Sequence, residues 1–159
     1  MTAASDRRSD SNGAGEFLDA FDGFAQAVRR ARGAPAQSDA PALTLSQYGL
    51  LQGLVGRDGA RARDLAEQAG IAPSTATRIL DALQRRGIVR RRPAADDRRA
   101  VTITLTGAGR ELLDAQDAWM RRRQLAFYEG LPPDERELAP DLLVRLAGLI
   151  DELAAGGDC

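Results

Sequence analysis

The stretch Gly70-Ile71-Ala72-Pro73 ends one helix and begins another, and it constrains the fold more than any other feature of the chain. Residues 63–69 read as a helix that buries Leu65, Ala66 and Ala69. Gly70 suits the left-handed conformation that closes such a helix. Pro73 suits the first turn of the next, where its missing N–H costs nothing. Ile71 fills the corner between them. Ala76, Ile79, Leu80 and Leu83 then recur at intervals of three, four and seven, the signature of one buried helical face. Ser74, Thr75, Thr77, Arg78 and Asp81 are left on or beside the outer face, and Gly87 closes the helix. The start of the first helix is weakly capped, with no Ser, Thr or Asp at 60–62.

Residues 88–92 and 101–105 form short alternating or β-branched runs, Val-Thr-Ile-Thr-Leu being the clearer. A polar turn from Pro93 to Arg99 joins them, which predicts a two-stranded wing. Thr106 caps a helix over 107–128 that holds Leu112, Leu113, Trp119, Met120 and Phe127. Leu131-Pro132-Pro133 breaks it. A last helix over 134–154 starts acidic and carries Leu138, Leu142, Leu143, Leu146, Leu149, Ile150 and Leu153 as one stripe.

Upstream, Phe17, Leu18, Phe21, Phe24, Ala25 and Val28 fall at helical spacing. Asp19 and Asp22 lie early in that helix and Arg29, Arg30 and Arg32 late, which complements its dipole. The stripe is either core or a dimer partner, and the dimer reading is favoured. Thr44 and Gln47 form a capping box, with Leu43 and Tyr48 at the staple positions. That helix carries Tyr48, Leu51, Leu54 and Val55 inward and ends near Gly56. The expected fold is therefore mainly α with a small β-wing. Residues 1–15 form a disordered tail, 16–32 and 107–154 a helical dimerisation region, 43–106 a winged helix-turn-helix, and 155–159 a flexible tail.

The chain has 159 residues, enough for a real core. No apolar run approaches the roughly 18–20 residues that span a bilayer, and residues 1–17 lack the apolar segment of a secretory signal. The expectation is a soluble protein of the cytoplasm. There is no histidine, and the one cysteine is Cys159. The usual catalytic base, metal ligands and intrachain disulfide are thereby missing. An enzyme would have to rest on carboxylates, Tyr48, Tyr128 or Arg, and no pair is placed convincingly. Neither a cofactor nor a metal is expected.

The net charge of −1 hides an asymmetry. Residues 57–99 hold 11 Arg against 6 acids, a net of +5, whereas residues 100–159 hold 6 Arg against 11 acids, a net of −5. A basic middle in a near-neutral chain fits one localised anionic partner. A helix held by a tight turn, with its N-terminal half exposed, fits a DNA major groove. Ser74, Thr75, Thr77 and Arg78 are the side chains placed to read base edges. Arg63, Arg85, Arg86 and Arg91 are candidates for phosphate contacts. At the wing, Arg98 and Arg99 sit on a narrow projection suited to a minor groove, and Asp97 can hold the Arg99 guanidinium. A winged helix used only for protein contacts is the other reading, against which the +5 speaks.

These motifs resemble the winged-helix core of the multiple-antibiotic-resistance-regulator (MarR) family. The resemblance rests on Leu45-Ser46-Gln47, Asp64-Leu65-Ala66, the run from Gly70 to Thr77, the run from Leu83 to Val89, and above all Asp97-Arg98-Arg99 followed by Leu105-Thr106. It implies a homodimer whose terminal helices interlock, binding a palindromic double-stranded operator, usually as a repressor. By the same resemblance, Ser74, Thr75, Thr77 and Arg78 match recognition-helix positions, and Asp97 and Arg99 match the wing pair. Effectors in the family are often small aromatic or phenolic anions. Tyr48, Trp119 and Arg123 are candidates to line such a pocket, core packing and surface charge being the simpler account of them. The cysteine and histidine sets of the peroxide- and zinc-sensing branches are missing.

Overall fold

The computed structural model describes residues 3–34, 43–93 and 101–155, with side chains from residue 13 onward. The chain divides into two units, the first reaching Gln116 and the second starting at Asp117. The first holds α1 (Ala3–Gly33), α2 (Leu45–Gln52), α3 (Ala62–Gln68), α4 (Pro73–Arg85), β1 (Val89–Pro93), β2 (Val101–Leu105) and the first turns of α5 (Gly107–Gly130). The second holds the rest of α5 and α6 (Pro133–Ala155). The architecture is mainly helical with a two-stranded antiparallel wing, as the sequence predicts.

α1 begins inside the stretch expected to be a disordered tail. No proline interrupts residues 3–33, and the alanines and arginines among them are good helix formers. Residues 35–42, which follow it, lie outside the described residues. α2 opens with the capping box: Gln47 N donates to Thr44 Oγ1 at 3.2 Å, and Thr44 N donates to Gln47 Oε1 at 3.0 Å. The helix ends before the expected Gly56. Leu54 N donates to Leu51 O, and Val55 N to Gln52 O, the tighter i to i+3 pattern. That tightening changes the angular step, so Val55 comes out exposed while Leu54 stays buried.

α3 and α4 bury the residues the spacing selects. Leu65, Leu80 and Leu83 are fully buried, as are Leu50 and Leu51 of α2, and Ile79 packs at the margin. Truncating any such leucine to alanine costs about 2–5 kcal/mol. Gly70 adopts φ +62°, the left-handed geometry the turn requires. Arg61 caps α3 without a side-chain hydrogen bond, in line with the weak start expected there.

The wing pairs Val89 with Leu105, Arg91 with Ile103 and Pro93 with Val101. Ala60 adds a further bridge: its N–H donates to Ile103 O at 3.0 Å, and Ile103 N donates back at 2.8 Å. Thr106 joins wing to helix. Its hydroxyl lies 2.7 Å from Gly87 O as donor and accepts from Gly109 N at 3.0 Å. Gly109 packs so closely on Ile88 that a Cβ there would overlap the Ile88 carbonyl.

In the second unit, Arg136 Nη2 donates to Glu129 O and Leu131 O, both at 2.8 Å, and so satisfies carbonyls at the end of α5. Its guanidinium also lies over the Tyr128 ring. No described residue of α6 is buried: Leu138, Leu142, Leu143 and Leu153 of its apolar stripe are all exposed in the single chain.

Candidate nucleic-acid interface

α4 is a helix with two chemically different sides. Ala76, Leu80 and Leu83 anchor it in the core. Opposite them, Ser74, Thr77 and Arg78 are exposed, and Thr75 is half-buried at the margin. Its first turn contains no acid and its N-cap, Ala72, offers no side-chain acceptor. The leading N–H groups therefore keep their positive polarity toward solvent, which favours phosphate.

Local bonding refines what each side chain can offer. Thr77 Oγ1 donates to Pro73 O at 2.9 Å. Its single proton is committed, so toward a base Thr77 is an acceptor. Arg78 has no hydrogen-bond or ion-pair partner among the described residues, and its guanidinium remains available for a forked contact.

Among the phosphate candidates, Arg63, Arg85 and Arg86 are exposed. Arg91 is different. Its Nη2 lies 2.6 Å from Asp81 Oδ1 and its Nη1 lies 2.7 Å from Gln84 Oε1. Its position on β1 aims it at the last turns of α4, where two acceptors stand one helical step apart. Arg91 thus braces wing against helix and is not a free phosphate donor. Asp97, Arg98 and Arg99, expected at the wing tip, lie outside the described residues.

Two of the three effector-pocket candidates come together. The Arg123 guanidinium lies 5.5 Å from the centroid of the Trp119 ring, both in the second unit. Tyr48 belongs to the first unit and packs against its core. A cleft not anticipated from the sequence opens within the first unit, with Arg57, Arg90, Arg92 and Arg110 on its wall. The alternation of Arg90 and Arg92 about Arg91 was the available signal, since period two sends them to the opposite face of the strand. Arg57 and Arg110 are too distant in sequence to be joined to them without the fold. Among the described residues no three His, Cys, Asp or Glu side chains group to hold a metal, and no helix is long and apolar enough to cross a membrane.

A helix-turn-helix followed by a hairpin against the start of a long helix defines a winged helix. The MarR family model matches residues 43–101, which take in α2, α3, α4 and the start of the wing. A MarR family transcription regulator of known structure superposes with a TM-score of 0.63 at 24% identity, covering 98% of this chain and 97% of its own. PcaV, a transcriptional regulator from Streptomyces coelicolor solved with its natural ligand, matches at 26% identity and TM-score 0.58, over 79% of this chain and 86% of its own. BpsR of Bordetella bronchiseptica, whose DNA binding is regulated by 6-hydroxynicotinic acid, matches at 26% and 0.55, over 66% and 75%. The first of these and PcaV are named as transcription regulators.

Proposed function

We propose that the chain is a homodimeric repressor that binds a palindromic double-stranded DNA operator in the bacterial cytoplasm and responds to a small anionic effector. The observation that carries this reading is the outer face of α4, where Ser74, Thr77 and Arg78 stand exposed on a helix whose other side is locked in the core. In the proposed complex the N-terminal half of α4 enters the major groove. Arg78 takes guanine through two hydrogen bonds, and Thr75 and Thr77 meet neighbouring base edges. Arg63, Arg85 and Arg86 neutralise phosphates, and Asp97 orients Arg99 beside Arg98 for the minor groove.

The second copy is invoked by the apolar surface the single chain leaves uncovered, Phe17 and Phe24 on α1 and Leu142, Leu143 and Leu153 on α6. Burying such surface between copies holds two α4 helices at half-site spacing, about one helical turn of DNA apart. Ligand response is supported by PcaV and BpsR, both similar to this chain, the one solved with its natural ligand and the other regulated in DNA binding by 6-hydroxynicotinic acid. Arg123 stacked on Trp119 is proposed as part of an effector site.

The test is a gel shift of the purified chain on the DNA upstream of its own gene. Retardation by the parent chain, abolished in Arg78→Glu with the dimer intact by size exclusion, supports the reading. Normal retardation by Arg78→Glu rejects the assignment of α4.

A further inference from the structure

The last turn of α1 reaches the α3–α4 turn. Ser46 Oγ donates to Arg32 O at 3.0 Å, which docks the end of α1 on the start of α2. From there the Arg32 side chain extends to Gly70, and its Nη1 lies 3.9 Å from the position a Cβ on that glycine would take. Gly70 is the left-handed residue of the turn, and Ser74, the first polar residue on the exposed face of α4, follows four residues later.

The Arg32 guanidinium makes no hydrogen bond or ion pair among the described residues. Glu67, the acid nearest to Gly70 in sequence, is exposed and not paired with it. The five N–H donors of the guanidinium are thus left to solvent. The helix dipole accounts for a cation in the last turn of α1, a role Arg30 shares. It does not account for a side chain laid across to another turn, and the Arg32 carbonyl is already capped by Ser46.

The position of the charge selects its partner. A helix seated by its N-terminal half in a groove roughly 12 Å wide leaves the turn before it beside one bounding strand. α4 is 13 residues long, or about 20 Å. Arg32 before its start and Arg85 and Arg86 at its end therefore bracket it with positive charge.

We propose that Arg32 is a DNA phosphate contact, supplied by α1 to the strand beside the α3–α4 turn, once in each half-site. This rests on the regulator reading and adds to it a contact from outside the winged helix. Because α1 carries the charge, a phosphate held there fixes α1 and α4 in one register on the duplex.

The experiment is fluorescence anisotropy of the full chain over a salt series, on the duplex upstream of its own gene and on an unrelated duplex of equal length. The samples are the parent, Arg32→Gln, Arg32→Lys and Arg30→Gln. Arg30 is exposed and lies two residues away, on another face of α1, so its variant makes the same change in net charge elsewhere. Arg32→Gln is expected to weaken both duplexes about 3–10-fold and to lower the salt slope by about one per half-site. Arg32→Lys should keep the parent slope, since either cation displaces counterions. Arg30→Gln should stay within about 2-fold of the parent with its slope unchanged. An unchanged slope in Arg32→Gln overturns the contact. With unchanged affinity it leaves Arg32 to an acidic protein partner, and with reduced affinity it leaves Arg32 a structural role. Equal losses in Arg30→Gln and Arg32→Gln make the effect one of net charge and overturn it too. A parent that binds neither duplex removes the regulator reading and the contact with it, whereas a parent that binds beside an unaltered Arg32→Gln rejects the contact alone.

Discussion

Arg91 on β1 and Asp81 on α4 meet at 2.6 Å, and through this pair the wing is braced against the helix proposed to enter the major groove. Gln84, one turn further along α4, accepts the second Arg91 nitrogen at 2.7 Å. Both ends of the ion pair are partly exposed, with side chains 34% and 40% accessible, so its contribution to stability is at most about 1 kcal/mol. Its consequence is angular: a two-point contact fixes the strand relative to the last turns of α4. Arg91→Ala is therefore expected to melt within a few degrees of the parent and to bind operator about 3–10-fold more weakly, with an unchanged salt slope. Fluorescence anisotropy over a salt series checks this. A slope reduced by about one would instead make Arg91 a phosphate contact.

Arg78 carries the sharpest expectation for specificity. It is exposed, unpaired among the described residues and one turn into α4. Arg78→Ala is expected to lose about 1–3 kcal/mol of discrimination at a single base pair of each half-site while retaining weak, sequence-independent binding. Competition between the parent operator and single-base variants measures it. Uniform weakening across all variants would move Arg78 from base reader to phosphate contact.

The helix-turn-helix was legible because its information is local. Gly70 and Pro73 mark adjacent helix ends, and the spacing of Ala76, Leu80 and Leu83 names the buried face without reference to the rest of the chain. The Thr44 capping box is equally local, spanning the four residues Thr44 to Gln47. What escaped the sequence depends on non-local partners. Arg91 reads as one more arginine in a basic run until α4 is seen to place Asp81 and Gln84 beside it. The cleft joins Arg57 to Arg110 across more than fifty residues of chain. Ala60 pairs with Ile103 although nothing near it alternates as a strand does. Val55 lost its inward position because the end of α2 tightened, a change of pitch that periodicity assumes away.

Gly109 tests how tightly the wing is held on α5. A Cβ there would collide with the Ile88 carbonyl, a backbone atom that cannot rotate aside, and would also crowd the Leu105 side chain. Alanine is the better helix former by about 1 kcal/mol, so on an open helix the substitution would stabilise. Here the overlap outweighs that gain. Gly109→Ala is expected to lower stability by about 1–3 kcal/mol, readable as an earlier midpoint in urea with an unchanged m-value. A later midpoint would mean that Ile88 and α5 part without cost. Gly107 makes a control, because a Cβ there meets nothing.

The proposed dimer can be separated from the DNA site by altering α6 alone. Leu142, Leu143 and Leu153 are 50%, 62% and 63% exposed, and a helix with no buried residue cannot be held in place by its own chain's core. If a second copy covers this stripe, each leucine buried there contributes about 1.5–3 kcal/mol. Replacing Leu142 and Leu153 together by glutamate then removes that contribution and places two charges in an apolar contact. The dimer dissociation constant is expected to rise by at least about 100-fold, followed by sedimentation velocity over a concentration series. Operator binding should fall with it, because one α4 engages one half-site and the gain from joining two is lost. The core of the first unit, built from Leu50, Leu51, Leu65, Leu80 and Leu83, contains neither residue. Its α3–α4 turn should therefore keep its hydrogen-exchange protection in the variant. A double variant that still sediments as a dimer would place the interface elsewhere, with Phe17 and Phe24 of α1 the next surface to change.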